Sequence, residues 1–176
     1  SAANTPFRRH KTWVHEGGIA TPFIVHWPRG IADKGESRST VGHVIDIAPT
    51  LLDLAGIEVQ AGDAPAMSGR SLKSAFVDAV PSTHESLWFY HEGNRALRQG
   101  DWKIIHSNAS REFPWLRSKA AMNETDDVNW SLFNLADDRG EQNDLASEAP
   151  ERVSAMASRW SEMRDQFLRD AAREDD

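Results

Sequence analysis

Cysteine is absent from the 176 residues, which excludes disulfides, thiolate metal sites and a cysteine nucleophile within this chain while leaving its compartment open. No apolar run approaches the roughly 20 residues needed to cross a bilayer, so no membrane span is expected. The opening stretch SAANTPFRRHK carries no apolar segment of secretory type. Dinucleotide (GxGxxG), P-loop, zinc-protease (HExxH) and serine-hydrolase (GxSxG) signatures are all missing. There is no internal repeat and no low-complexity tract.

What is present describes a globular protein. At 39% hydrophobic and 27% charged residues, the chain can build one sizeable core or a core with a small satellite. A formal charge of -7 argues against general nucleic-acid affinity. The charge is uneven: residues 1–49 hold six Lys/Arg against four Asp/Glu, whereas residues 136–176 hold twelve Asp/Glu, six Arg and no lysine. A cationic N-terminal part suits an anionic substrate and equally a solvated surface.

Punctuation divides the chain. ATPFIVHW, between Gly17-Gly18 and Pro28, is short, branched and aromatic, and reads as a buried strand. HVIDIAPTLLDLAGI reads as a short buried helix, with Asp46 as N-cap and Gly56 where it stops. A loop over 58–70 and a short helix around SLKSAF follow. After Pro81, ESLWFYH, NRALRQ, DWKIIHS and WSLFNL are four short strand-like segments, two of them joined at Gly100-Asp101, which predicts an antiparallel sheet. The polar insert at 107–129 reads as an exposed loop or lid; Asn108 and Asn123 open glycosylation sequons there. Val153, Met156, Trp160, Met163 and Phe167 recur every three or four residues, one apolar helix face for packing on the sheet. The last residues, REDD, read as a frayed tail.

The stretch HKTWVHEGGIATPFIVHWP, residues 10–28, concentrates chemistry-bearing side chains before an apolar run. Gly17 and Gly18 read as backbone devices for positive φ or close chain approach. Glu16 reads as a brace or the partner of a cation. Histidines stand at 10, 15, 26, 43, 84, 91 and 106, enough for chance clustering, and each taken singly is better explained by a structural or surface role. Asp101, Trp102 and Lys103 read as structural.

Five blocks in order then carry a resemblance: NTPFRRHKTWVHEGGIATPFIVHWPRGI, HVIDIAPTLLDLAG, GRSL, HEGNRALRQGDWKII and WSLFNLADDRGEQNDLA. Together they resemble the C-terminal part of a formylglycine-dependent sulfatase of the arylsulfatase type. The resemblance implies an alkaline-phosphatase-like α/β fold. Residues 1–80 would form the end of its main domain, and residues 81–176 a small C-terminal antiparallel-sheet subdomain with a closing helix.

The implied reaction is hydrolysis of a sulfate ester, by attack of a hydrated formylglycine on sulfur beside a calcium ion. The implied substrate is a small-molecule or carbohydrate sulfate ester. In the family a sulfate-binding lysine precedes the Glu of the EGG block by five positions, where this chain has Lys11. A compact ammonium suits a sulfate or leaving-group oxygen. His15 is a candidate for the pocket rim, with a structural role as the alternative. His91 and Asn94 are candidates for the substrate entrance, with a hydrogen-bonded turn as the alternative. Arg111, Trp115, Arg117 and Lys119 in the insert would suit a sulfated sugar or simply a loop surface.

Departures from the family pattern matter as much. No C-x-P/A-x-R motif and no calcium-binding acidic pair occurs here, and the serine form of the motif occurs only as SNASR at 107–111, after the lysine block rather than before it, so formylglycine, calcium and the metal ligands are expected upstream, none within this chain. The chain therefore reads as a C-terminal portion that needs the N-terminal part of its own chain, is inactive alone, and exposes apolar surface when isolated. Family members are often exported, which makes a periplasmic or extracellular home the expectation. A phosphonate or phosphate ester hydrolase of the same superfamily, or a non-catalytic binding or structural module, stays open as the alternative.

Overall fold

The computed structural model describes residues 4–33, 35–58, 67–78, 84–108 and 128–173. Its helices are α1 (Glu16–Ile19), α2 (Ile47–Ala55), α3 (Lys73–Val77) and α4 (Pro150–Arg173), with a 3-10 turn at Val44–Asp46. Its strands are β1 (Leu87–His91), β2 (Asn94–Gln99), β3 (Trp102–His106) and β4 (Ser131–Asn134). Two compact units result: residues 1–21 with 86–176, and residues 22–85. This grouping differs from a division at residue 80, because Val14 belongs to the core of the sheet unit.

In the sheet unit the four strands run antiparallel in the order β1-β2-β3-β4. The two tight turns fix the register. Glu92 and Gly93 both have positive φ, 53° and 83°, so the chain reverses in two residues and His91 pairs with Asn94. Gly100, at φ 59°, opens the second turn and pairs Gln99 with Trp102. These are the segments and the turn expected from sequence.

Alternation then sorts side chains between two faces. Ala96, Ile105 and Phe133 join Val14 and Leu135 in one core. Leu97, Ile104 and Leu132 join Met156 and Trp160 of α4 in the other, so the closing helix packs as its periodicity required. Phe167, counted in that face, remains partly exposed against Trp88.

The second unit is organised by a carboxylate. Asp46, fully buried, accepts hydrogen bonds from the backbone N–H groups of His43 (2.7 Å) and Arg70 (2.8 Å) and lies 2.7 Å from His84 Nε2. One turn on, Thr50 Oγ1 donates to the Asp46 carbonyl and accepts from Leu72 N at 2.9 Å, tying α2 to the start of α3. Gly56, left-handed at φ 68°, ends α2 where expected.

Two expectations fail here. ATPFIVHW forms no strand: no strand pairs with it among the described residues, its backbone lacks a ladder, and Ile24 is 88% exposed. The helix at 47–55 exists but is not buried, since Leu51 is 61% exposed and only Thr50 is enclosed. Both expectations rested on apolar density, which specifies a buried partner without supplying one. Of the 107–129 insert, residues 107, 108, 128 and 129 are described; Arg111, Trp115, Arg117, Lys119 and Asn123 lie outside the described residues.

Candidate functional site

Lys11 sits at the first central position of a turn closed by Trp13 N donating to His10 O at 2.8 Å. Its side chain is exposed and, among the described residues, makes no hydrogen bond or ion pair. The chain around it is tightly folded. Gly17 N donates to Arg8 O at 3.0 Å, folding the loop back over the start of α1. A Cβ on Gly17 would collide with the Arg8 and Arg9 carbonyls, and one on Gly18 with the Trp13 carbonyl. Close chain approach, one of the two uses expected of these glycines, is therefore the one realised. Arg9 takes a left-handed φ of 69° and lays its guanidinium 4.4 Å from the Trp13 ring centre.

Beneath the loop lies a buried charge cluster. Lys103 of β3 shares the sheet face of Ile105, two residues along, and is fully enclosed. An ammonium on a buried face must find anions. Its Nζ lies 3.0 Å from Glu16 Oε1 and 2.7 Å from Glu141 Oε1. Glu141 Oε2 accepts from the Glu16 backbone N–H at 2.8 Å, and the Glu141 carbonyl accepts from Arg8 at 2.8 Å. Arg139, 59% exposed, reaches the other oxygen of Glu16 at 3.4 Å.

The two carboxylates diverge because their surroundings do. Burial would raise Glu16, but the charge and hydrogen bond of Lys103, with Arg98 and Arg139, hold it below the ordinary carboxylate range. Burial raises Glu141 and outweighs its share of Lys103, while the Glu16 charge pushes the same way. Glu16 is thus the brace and cation partner that its position suggested, and Lys103 is structural as read. Glu141 and Arg139 were not singled out from sequence; a lysine two residues from Ile105 on one strand face was the available signal that buried anions had to exist.

His15 is also enclosed, and its Nδ1 has no hydrogen-bond partner among the described residues. Burial, then the charges of Lys103, Arg8 and Arg9, push the imidazole down to about 3, so it is neutral. The unfolded chain, at the ordinary 6.5, binds a proton that the folded chain refuses. Stability from this group is therefore complete above 6.5 and is lost as pH falls toward about 3, at up to about 1.4 kcal/mol per pH unit. His43 and His106 are lowered as well and act with the same sign. His15→Phe should flatten this limb: denaturant titrations at pH 6.5 and 5 are expected to show wild type losing about 2 kcal/mol more than the variant.

The remaining candidates separate. Asn94 is fully buried, its amide donating to Thr12 O (3.3 Å) and His91 O (3.1 Å) and accepting from Asn108 N (3.0 Å). It ties the hairpin to the residue after Lys11. His91 is exposed and lies 3.6 Å from Glu92 at the hairpin tip. Lys11 and His15 thus lie on one loop that Asn94 of β2 anchors through Thr12, with His91 at the other side of the hairpin turn. Among the described residues no three His, Asp or Glu side chains converge as a metal set.

The fold has known counterparts. A Bacteroides thetaiotaomicron protein, solved in work on the metabolism of multiple glycosaminoglycans, superposes with a TM-score of 0.67 at 23% identity, over 90% of this chain and 32% of that one. The fold is that of the sulfatases, α/β with an antiparallel sheet and a closing helix. Residues 8–166 match the family described as N-sulphoglucosamine sulphohydrolase, C-terminal, and the chain belongs to that family. A sulfatase from Formosa agariphila is 27% identical over 84% of this chain and 26% of its own length. An uncharacterized sulfatase from Schizosaccharomyces pombe is 30% identical over 90% of this chain and 27% of its own. The chain spans about a quarter of the length of the curated relatives it matches.

Proposed function

We propose that this chain is the C-terminal portion of a sulfuric ester hydrolase, that Lys11 binds the sulfate group, and that the surrounding loop lines part of the substrate pocket. The observation that carries the reading is an exposed ammonium, without a hydrogen bond or ion pair among the described residues, on a loop whose neighbours on both sides are anchored in a buried network. Hydrolysis moves negative charge onto the sulfate oxygens and the leaving-group oxygen. An ammonium carried beside them by an anchored loop stabilises that charge and lowers the barrier. His15, held neutral, would line the rim, Asn94 would set the height of the Thr12 carbonyl, and His91 would border the entrance. The formylglycine nucleophile and calcium of the whole enzyme would come from residues outside this chain.

The substrate class is a small-molecule or carbohydrate sulfate ester. No helix among the described residues is long and apolar enough to cross a membrane, and we assign the enzyme to the periplasm or the extracellular space. The test is sulfatase activity of the whole protein containing this chain, matured and supplied with calcium, on an aryl sulfate. Lys11→Ala is expected to lower kcat/KM by about 10² to 10³. An unchanged rate overturns the role of Lys11. A wild type that cleaves phosphonate or phosphate esters and not sulfates moves the chain to the sister chemistry.

A further inference from the structure

The geometry points to Lys103 as a positioning residue for the Lys11 loop, acting through Glu16 and Glu141. The inference rests on the reading of Lys11 as the sulfate-binding lysine. Three separate segments meet at the Lys103 ammonium: the Glu16 side chain at 3.0 Å, the Glu141 side chain at 2.7 Å, and strand β3 itself. Glu141 then holds the same loop twice more, through the Glu16 backbone N–H and, by its own carbonyl, through Arg8. Arg8 lies three residues before Lys11 and Glu16 five after, so the cluster grips the loop on both sides.

Charge is an expensive way to attach a loop. Burying an ammonium and two carboxylates forfeits their hydration, and apolar packing of the same volume gives equal or better stability. Apolar packing is non-directional, however, and lets a loop settle at several heights. One ammonium, two carboxylates and one backbone N–H satisfy each other in a single arrangement, which fixes the position of α1 and hence of the turn carrying Lys11. Glu141 adopts a left-handed φ of 54° within this arrangement, a conformation a non-glycine residue takes only where its contacts require it. A misplacement of about 1 Å at a catalytic group is enough to cost on the order of a hundredfold in rate.

The experiment uses the whole protein with Lys103→Met, Glu141→Gln, Lys11→Ala and the double variants, read by kcat, KM and amide hydrogen exchange. In folded Lys103→Met, kcat/KM is expected to fall about ten- to a hundredfold, mostly in kcat. In the Lys11→Ala background the same substitution should add less than about threefold, because the group it positions is gone. Exchange at the Trp13 and Gly17 amides should quicken while that of β2 and β3 stays slow.

A folded Lys103→Met with wild-type activity, or a loss that multiplies fully with that of Lys11→Ala, overturns the inference. Should Lys103→Met fail to fold, Glu141→Gln, which leaves the Lys103–Glu16 pair intact, is judged by the same two criteria. Should Lys11→Ala prove as active as wild type, the sulfate-binding reading fails by itself. Exchange then decides the positioning role alone, and unchanged protection at Trp13 and Gly17 overturns it.

Discussion

Trp160→Ala is expected to destabilise the sheet unit by about 3–5 kcal/mol. The residue is fully enclosed between α4 and the sheet, with its ring stacked on Trp88 at 5.2 Å and tilted against Trp130 at 5.9 Å. Its indole N–H donates to the Phe89 carbonyl at 3.3 Å, and Trp88 returns a bond of 3.1 Å to the Trp160 carbonyl. Truncation removes the apolar transfer energy of the largest side chain in this core and leaves a cavity that two rigid rings cannot fill by relaxing. It also removes the indole N–H that the Phe89 carbonyl accepts from. Native domains are stable by only about 5–15 kcal/mol, so the loss is a large share of the total. Trp160→Phe, which keeps a ring but not the donor, should cost less than half as much. Denaturant midpoints of the three proteins, compared at constant m-value, check the ranking; a fall below about 1 kcal/mol for the alanine variant would contradict this packing.

Asp46→Ala should cost the second unit about 3–5 kcal/mol, because it removes a fully buried carboxylate on which three hydrogen bonds converge. Three donors converge on this carboxylate: Oδ2 accepts from His43 N, and Oδ1 from Arg70 N and His84. The substitution removes the acceptor that two backbone N–H groups and the imidazole share. Asp46→Asn discriminates the geometry, since its remaining oxygen can keep the Arg70 and His84 contacts while its NH2 faces the His43 donor. Its cost should fall between wild type and alanine. Burial raises the Asp46 carboxyl, but the hydrogen bonds from Arg70, His43 and His84 hold it below its ordinary 3.8. Its stabilisation is therefore complete above 3.8 and disappears as pH drops through the lower folded value. Amide exchange at Arg70 and His43 reports the result directly: both should quicken in Asp46→Ala, and slow exchange there would refute the role given to the carboxylate.

These two sites, with the Lys103 cluster, share a logic. Each joins segments far apart in sequence through one enclosed group. Trp160 joins α4 to β1, Asp46 joins α2 to the segment before α3, and Lys103 joins the N-terminal loop to β3 and to the turn at Glu141. Lys11 itself needs no such junction. Its position is set by neighbours that are anchored, and its ammonium stays exposed.

The sequence by itself determined the local structure of the sheet unit. Two-residue turns at Glu92-Gly93 and Gly100-Asp101 leave little freedom of register, and alternation within each strand then decides which side chains share a face. The 3.6-residue periodicity of α4 decided its buried stripe for the same reason: the information lies within one element. Lys11 is a candidate from sequence alone, through its distance from Glu16 in a string that resembles the sulfatases, and its role is a proposal.

Tertiary structure decided what depends on a distant partner. The run ATPFIVHW and the helix at 47–55 are apolar, but a run of apolar residues states only that something should cover it. Asn94, a candidate for the substrate entrance, has its amide wholly taken by Thr12, His91 and Asn108. Glu141, unremarkable within RGEQND, becomes one of the two anions of the only buried lysine among the described residues. A charge buried in one strand must be matched, yet the match can come from anywhere the chain folds back, and only the fold brings Glu141 to Lys103 from 38 residues away.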